Sequence, residues 1–130
     1  MELVDTHAHL EDIENLDEAL RRAGEAGVVA VVTMGSDYES NLWALGESLK
    51  HQREDLRIYP ALGLHPWDLD SSKIDANIRL IKENIGRSTA IGEIGLDYWY
   101  RDVRKSPERK GLQRELFQRL LELAKRNDKP

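Results

Sequence analysis

Val28-Val29-Ala30-Val31-Val32-Thr33-Met34-Gly35-Ser36-Asp37 is the stretch that decides the fold. Its first seven residues are continuously apolar or β-branched, too apolar to alternate, as expected of a strand buried on both faces in a parallel sheet. Gly35-Ser36-Asp37 then breaks the run and caps a helix over residues 38–51, with Leu42, Leu45 and Leu49 facing inward. Upstream, residues 15–27 read as a helix, because Leu16, Ala19, Leu20 and Ala23 share one face and Gly27 serves as C-cap. A short strand ending in Val4-Asp5-Thr6-His7-Ala8-His9-Leu10 precedes it. Downstream, residues 56–64 form a third strand, although Pro60 cannot donate a ladder hydrogen bond. Ile74, Ile78 and Ile81 carry a helix over 72–84, residues 89–93 make a fourth strand, and a last helix spans 108–126.

The order is β-α repeated four times with short connections, which implies parallel strands and right-handed crossovers. One architecture is an open four-stranded α/β sheet with its site at the carboxyl ends of the strands. The other is a piece of a (β/α)8 barrel. Such a barrel takes ~250 residues, so four units are about half of one.

At 130 residues the chain is the size of one domain, 1–130. Charged residues make up 33% of it and Cys is absent, which fits a heat-adapted protein. Without Cys there are no disulfides and no thiolate metal sites. No basic leader and no run approaching ~20 apolar residues is present, so the expectation is a soluble, cytoplasmic protein with no membrane partner. A net charge of -5 argues against gripping nucleic acid over the whole surface.

Chemistry collects at the strand ends. In an extended strand His7 and His9 point to one face, and two neutral imidazoles at a strand mouth can share one divalent ion. Glu93, at the end of Thr89-Ala90-Ile91-Gly92, is a costly carboxylate unless a cation compensates it. With the two histidines it makes a three-ligand cluster. His65, between Leu64 and Pro66, is either a packed loop residue or a contact for substrate phosphate. Asp97 can accept a proton, orient a ligand or cap a turn, and the sequence leaves these open. From position 101 to 114 there are six basic residues against two acids, beside Tyr98, Trp99 and Tyr100. That combination suits a phosphodiester strand with exposed bases, and Arg101 lies nearest the fourth strand.

Together, Asp5-Thr6-His7-Ala8-His9-Leu10, Gly63-Leu64-His65-Pro66 and Gly92-Glu93-Ile94-Gly95-Leu96-Asp97-Tyr98 resemble the motifs of the TatD family of metal-dependent deoxyribonucleases, within the amidohydrolase-like barrels. The segment with Gln113, Phe117 and 121–124 is similar to that family's fourth helix. The fold implied is the N-terminal half of a (β/α)8 TIM barrel, with Asp128-Lys129-Pro130 at the lead-in to a fifth strand. The resemblance implies that His7 and His9 bind one divalent metal ion and Glu93 bridges two, with Mg, Mn and Zn not distinguished. It implies contacts to substrate from His65, Asp97, Tyr98 and Arg101, and metal-assisted attack of water on DNA, at single strands or 3′ ends. The family's catalytic aspartate and two more metal-binding histidines lie on later strands, outside these 130 residues, so weak activity of this chain alone is expected. Leu120 stands where the family usually has a second glutamine.

Two other readings stay open on the sequence alone. One is a non-catalytic half-barrel assembly module, and the other an amidohydrolase acting on C–N bonds. An open barrel exposes strand edges, so self-association, or contact with a C-terminal half-barrel chain, is expected.

Overall fold

The structure, a computed structural model, describes residues 1–67 and 69–130. Strands β1 (Leu3–Ala8), β2 (Val28–Met34), β3 (Arg57–Leu62) and β4 (Ala90–Ile91) alternate with helices α1 (Leu16–Glu25), α2 (Tyr38–Leu45) and α3 (Ser71–Asn84). After β4 come a short helix α4 (Arg101–Lys105) and the long α5 (Pro107–Arg126). All strand pairs are parallel and the sheet order is β1-β2-β3-β4. Sequential order with right-handed crossovers puts every helix on one face. A doubly wound sheet needs a reversal of order, and there is none, so the winding is that of a barrel.

Local chemistry accounts for the boundaries. Gly27 takes φ 96° just beyond α1, a conformation in which a Cβ is strained and would also meet the Met1 carbonyl at 2.7 Å. Asp37 caps α2 reciprocally: its carboxylate accepts from Ser40 N at 2.8 Å, and its own N–H donates to Ser40 Oγ at 2.9 Å. Ser106 caps α5 with Pro107 in the first turn, where a missing N–H costs nothing.

Two apolar layers pack between sheet and helices. Leu10, Leu16, Leu20, Val31, Leu56 and Ile58 form one. In the other, Ile74, Ile78 and Ile81 of α3 meet Leu116, Leu120 and Leu123 of α5 over Leu62 and Ile91. Leu120 is fully buried there, so an apolar residue suits the position.

Several expectations need correction. Leu42 and Leu49 point outward, Leu42 with 43% of its surface exposed. The buried positions of this region are Ser40, Asn41, Ala44, Leu45 and Ser48, one residue around from the leucine stripe. Asn41 takes the inward position, where its amide bonds the backbone of Gly63 just past β3. The helix also stops at Leu45 before Gly46, and 48–51 continue as a 3-10 turn. In β2 only Val31 and Thr33 are buried, because no helix covers the other face. The fourth strand is shorter than 89–93, and α4 is an added element that the sequence pattern does not announce.

Among the described residues no strand lies beside β1, while the β4 edge is met by residue 130. Every β1 residue but Ala8 is exposed, and on β4 the Ile91 N–H donates to the Pro130 carbonyl at 2.9 Å, where a further strand would pair. No helix of the described residues is long and apolar enough to cross a membrane.

Candidate metal centre

The carboxyl ends of the strands bring three predicted ligands together. β1 ends at Ala8 after a register shift between Asp5 and Ala8, with Asp5 Oδ1 accepting from His7 N–H at 3.0 Å. The two imidazoles converge with ring centroids 5.4 Å apart and planes at 71°. Glu93 follows β4, with its N–H bonded at 2.9 Å to the carbonyl of Gly35, the residue just past β2. One carboxylate oxygen, Glu93 Oε2, lies 3.6 Å from His7 Nε2 and 3.2 Å from His9 Nε2.

Those spacings suit a cation. Two donors each about 2.1 Å from one tetrahedral ion stand about 3.4 Å apart. The ligand atoms of His7, His9 and Glu93 all lie within 4.8 Å of one another, and two nitrogens plus one oxygen is a donor set divalent ions accept. Glu11 adds a partner behind His9: its Oε1 is 3.7 Å from His9 Nδ1, and its Oε2 is buried with no hydrogen-bond partner. Burial pushes the Glu11 carboxyl up from its ordinary pKa. Outer partners of this kind orient a metal-binding imidazole. The signal for it in the sequence is an acid two residues after His9, which the motif reading does not single out.

His65 approaches the other Glu93 oxygen, Oε1, at 3.4 Å through Nε2. Its Nδ1 accepts the Trp67 backbone N–H at 3.2 Å, so in the neutral ring the proton sits on Nε2. Asp97 caps a turn, with Oδ1 accepting from Trp99 N–H at 2.9 Å. The Tyr98 ring is covered by Lys110, whose Nζ lies 5.4 Å from its centroid. Arg101 begins α4 and is exposed.

Two buried amides, each reaching far across the sequence, hold these loops. Asn41 donates from Nδ2 to the Gly63 carbonyl at 2.7 Å and accepts Gly63 N–H at 3.0 Å. Gln113 on α5 donates to the carbonyls of Pro66 at 2.7 Å and Asp97 at 2.8 Å, and accepts Asp97 N–H at 2.9 Å. The loops after β3 and β4, and with them His65 and Asp97, are therefore tied to one side chain. A cavity of about 970 Å³ opens beside the cluster, walled among others by His9, His65, Trp67, Lys73 and Glu93.

A sequentially ordered parallel βα sheet with a His-His-Glu group at its carboxyl end defines a barrel-type architecture with a candidate metal site. The chain belongs to the TatD-related DNase family, whose profile, described as "TatD related DNase", matches residues 4–130. It is 34% identical over 136 residues to an uncharacterized metal-dependent hydrolase TatD of Mycobacterium tuberculosis, covering 98% of this chain and 49% of that one. To deoxyribonuclease TATDN3 of Homo sapiens it is 33% identical over 137 residues, covering 98% of this chain and 50% of that protein. Among solved structures, a TatD family hydrolase of Entamoeba histolytica superposes with a TM-score of 0.75 at 21% identity, over 97% of this chain and 46% of that chain. The chain thus spans about half the length of the curated relatives it matches. Its four units correspond to half of a (β/α)8 barrel.

Proposed function

We propose that the protein hydrolyses phosphodiester bonds in DNA with the help of divalent metal held by His7, His9 and Glu93. The observation that carries this reading is the meeting of both histidine Nε2 atoms at one oxygen of Glu93. The names metal-dependent hydrolase and deoxyribonuclease among the relatives support it. When bound, a divalent ion supplies Lewis-acid polarisation of a phosphoryl oxygen and acidifies a water.

The chain's own residues do the remaining work. His65 donates from Nε2 to a non-bridging phosphate oxygen, its proton kept on that nitrogen by the Trp67 amide. Arg101 holds a phosphate further along the strand, while Asp97 and Tyr98 shape the loop between them. The cavity wall carries Asp12, Asp37, Glu39, Asp70 and Glu93 against Lys73, a balance that repels a polyanion and makes substrate entry depend on a cation. A second ion, if bound, would be held by Glu93 as well, and Mg, Mn or Zn would each suit the donors. A basic α4 favours a phosphate substrate over a C–N bond. A cytoplasmic setting belongs to the same proposal.

The experiment is a nuclease assay on single-stranded DNA with a labelled 3′ end, with Mg or Mn and with a chelator. Slow, metal-dependent cleavage that disappears in His9→Ala is expected. Equal rates in wild type and His9→Ala would remove the metal assignment.

The uncovered β1 edge, with Val4 56% exposed, and the helix-free face of the sheet form an association surface within this proposal, for a second copy or a C-terminal half-barrel chain. Light scattering on the protein alone is expected to give a mass above 14.9 kDa that rises with concentration. A monomer at every concentration excludes self-association.

A further inference from the structure

His9 stands between two carboxylates. Its Nε2 lies 3.2 Å from Glu93 Oε2, and its Nδ1 lies 3.7 Å from Glu11 Oε1 on the other edge of the ring. His7 differs: among the described residues Glu93 alone pairs with its ring, through Nε2 at 3.6 Å. The two imidazoles of the cluster are thus unequal, one held from both sides and the other from one.

Glu11 sits where a carboxylate is costly. Only 17% of its side chain is exposed, and Oε2 is buried without a hydrogen-bond partner. Among the described residues the other such orphan is Thr33 Oγ1, a neutral hydroxyl, and a carboxylate oxygen is the harder of the two to leave unpaired. The local backbone holds it there. Leu10, 3% exposed, anchors the turn in one apolar layer, and bonds from Asp12 N–H to the His9 carbonyl at 3.2 Å and from Ile13 N–H to the Leu10 carbonyl at 3.3 Å close the turn that carries Glu11. Its one ion-pair partner among the described residues is His9.

A side chain kept in place against stability points to a role outside packing. A neutral imidazole carries one ring proton, and a divalent ion at Nε2 leaves that proton on Nδ1, where it needs an acceptor. Glu11 Oε1 is the oxygen on that edge. At 3.7 Å the contact is longer than a formed hydrogen bond, so in this structure it directs the ring by charge.

We propose that Glu11 is a positioning residue for His9: it orients the ring so that Nε2 presents its lone pair beside Glu93, and it accepts from Nδ1–H when an ion is held. This rests on the reading of His7, His9 and Glu93 as metal ligands. It adds that the His9 side of the site is preorganised by a single turn of chain, residues 9–11.

The test is Mn binding, followed by the electron spin resonance signal of the free ion, on the 130-residue protein and two variants, with the urea midpoint of each metal-free protein alongside. Glu11→Leu fills a similar space without an acceptor, whereas Glu11→Gln removes the charge and keeps an amide oxygen that can accept from Nδ1–H. The expected result is an Mn affinity about 10–100-fold weaker in Glu11→Leu, with Glu11→Gln recovering most of the loss. The metal-free urea midpoint of Glu11→Leu should equal or exceed that of wild type, because a buried orphan oxygen is gone. A midpoint that falls together with the affinity would make the role structural and overturn the proposal. Glu11→Gln binding as weakly as Glu11→Leu would overturn it too, by reducing Glu11 to a charge. Tight binding by wild type and Glu11→Leu alike removes this inference alone, and no binding by wild type removes it together with the metal reading.

Discussion

Replacing Glu93 by Ala is expected to abolish divalent-metal binding while leaving the fold intact. The Glu93 carboxylate is the one group shared by His7 Nε2 at 3.6 Å, His9 Nε2 at 3.2 Å and His65 Nε2 at 3.4 Å. Loss of an outer partner of a ligand already costs about 10–100-fold in metal affinity, so loss of the common ligand should cost more than about a hundredfold. Structure survives because the backbone of residue 93 supplies the sheet contact, its N–H to the Gly35 carbonyl, and Ala keeps that bond. A ligand that binds only the folded state stabilises it by about 2.7 kcal/mol at a hundred times its Kd. Thermal unfolding with and without Mn should therefore show a clear rise in Tm for wild type and none for Glu93→Ala. The metal-free Tm of the two should agree within a few degrees. Identical rises in both proteins would mean that the ion binds elsewhere.

Gly63→Ala carries the other large effect, and it acts through the backbone. A Cβ at position 63 would stand 2.3 Å from Glu93 N, 2.4 Å from Glu93 O and 2.4 Å from the Gly92 carbonyl carbon. These are main-chain atoms that cannot rotate away, so the ends of β3 and β4 must part. Parting them pulls Gly63 from Asn41, whose amide makes both hydrogen bonds to its backbone, and moves Glu93 away from the histidines. Overpacking of this kind costs about 1–3 kcal/mol, and an unpaired buried amide adds about 1–3 kcal/mol. A urea midpoint shifted down accordingly, together with lost metal-induced stabilisation, is the expected outcome. A variant as stable as wild type that still binds metal would show that the close approach of the strand ends is not needed. By contrast, a Cβ at Gly95 or Gly111 would stand in open space, so the same substitution there should be mild in its packing effect.

How much of this is legible in the sequence follows from the range of each interaction. The caps are readable because they are local: Gly27 closes α1 and Asp37 opens α2 through partners within four residues. The strand order follows from the βα repeat and the handedness of its crossovers. His7, His9 and Glu93 stand out because ligand chemistry at strand ends is sparse, and the structure brings their donor atoms within 4.8 Å. Leu42 and Leu49 mislead because periodicity assumes that leucine wins the buried face. In α2 the inward position goes instead to Asn41, whose partner Gly63 lies 22 residues away. Gln113 is invisible as a positioning group for the same reason. Gln113 reaches the Pro66 carbonyl across 47 residues, and nothing in a periodic pattern encodes that. The edge-to-face pair of Trp67 and Tyr100, with centroids 6.0 Å apart, joins two loops that have no periodicity at all.

The most direct test of the central claim is anomalous diffraction from a crystal of the protein soaked in Mn. A strong anomalous peak within about 2.0–2.3 Å of His7 Nε2, His9 Nε2 and Glu93 Oε2, absent from Glu93→Ala crystals, is the predicted result. A fully occupied Mn site elsewhere on the chain, with no peak between these three residues, would contradict it.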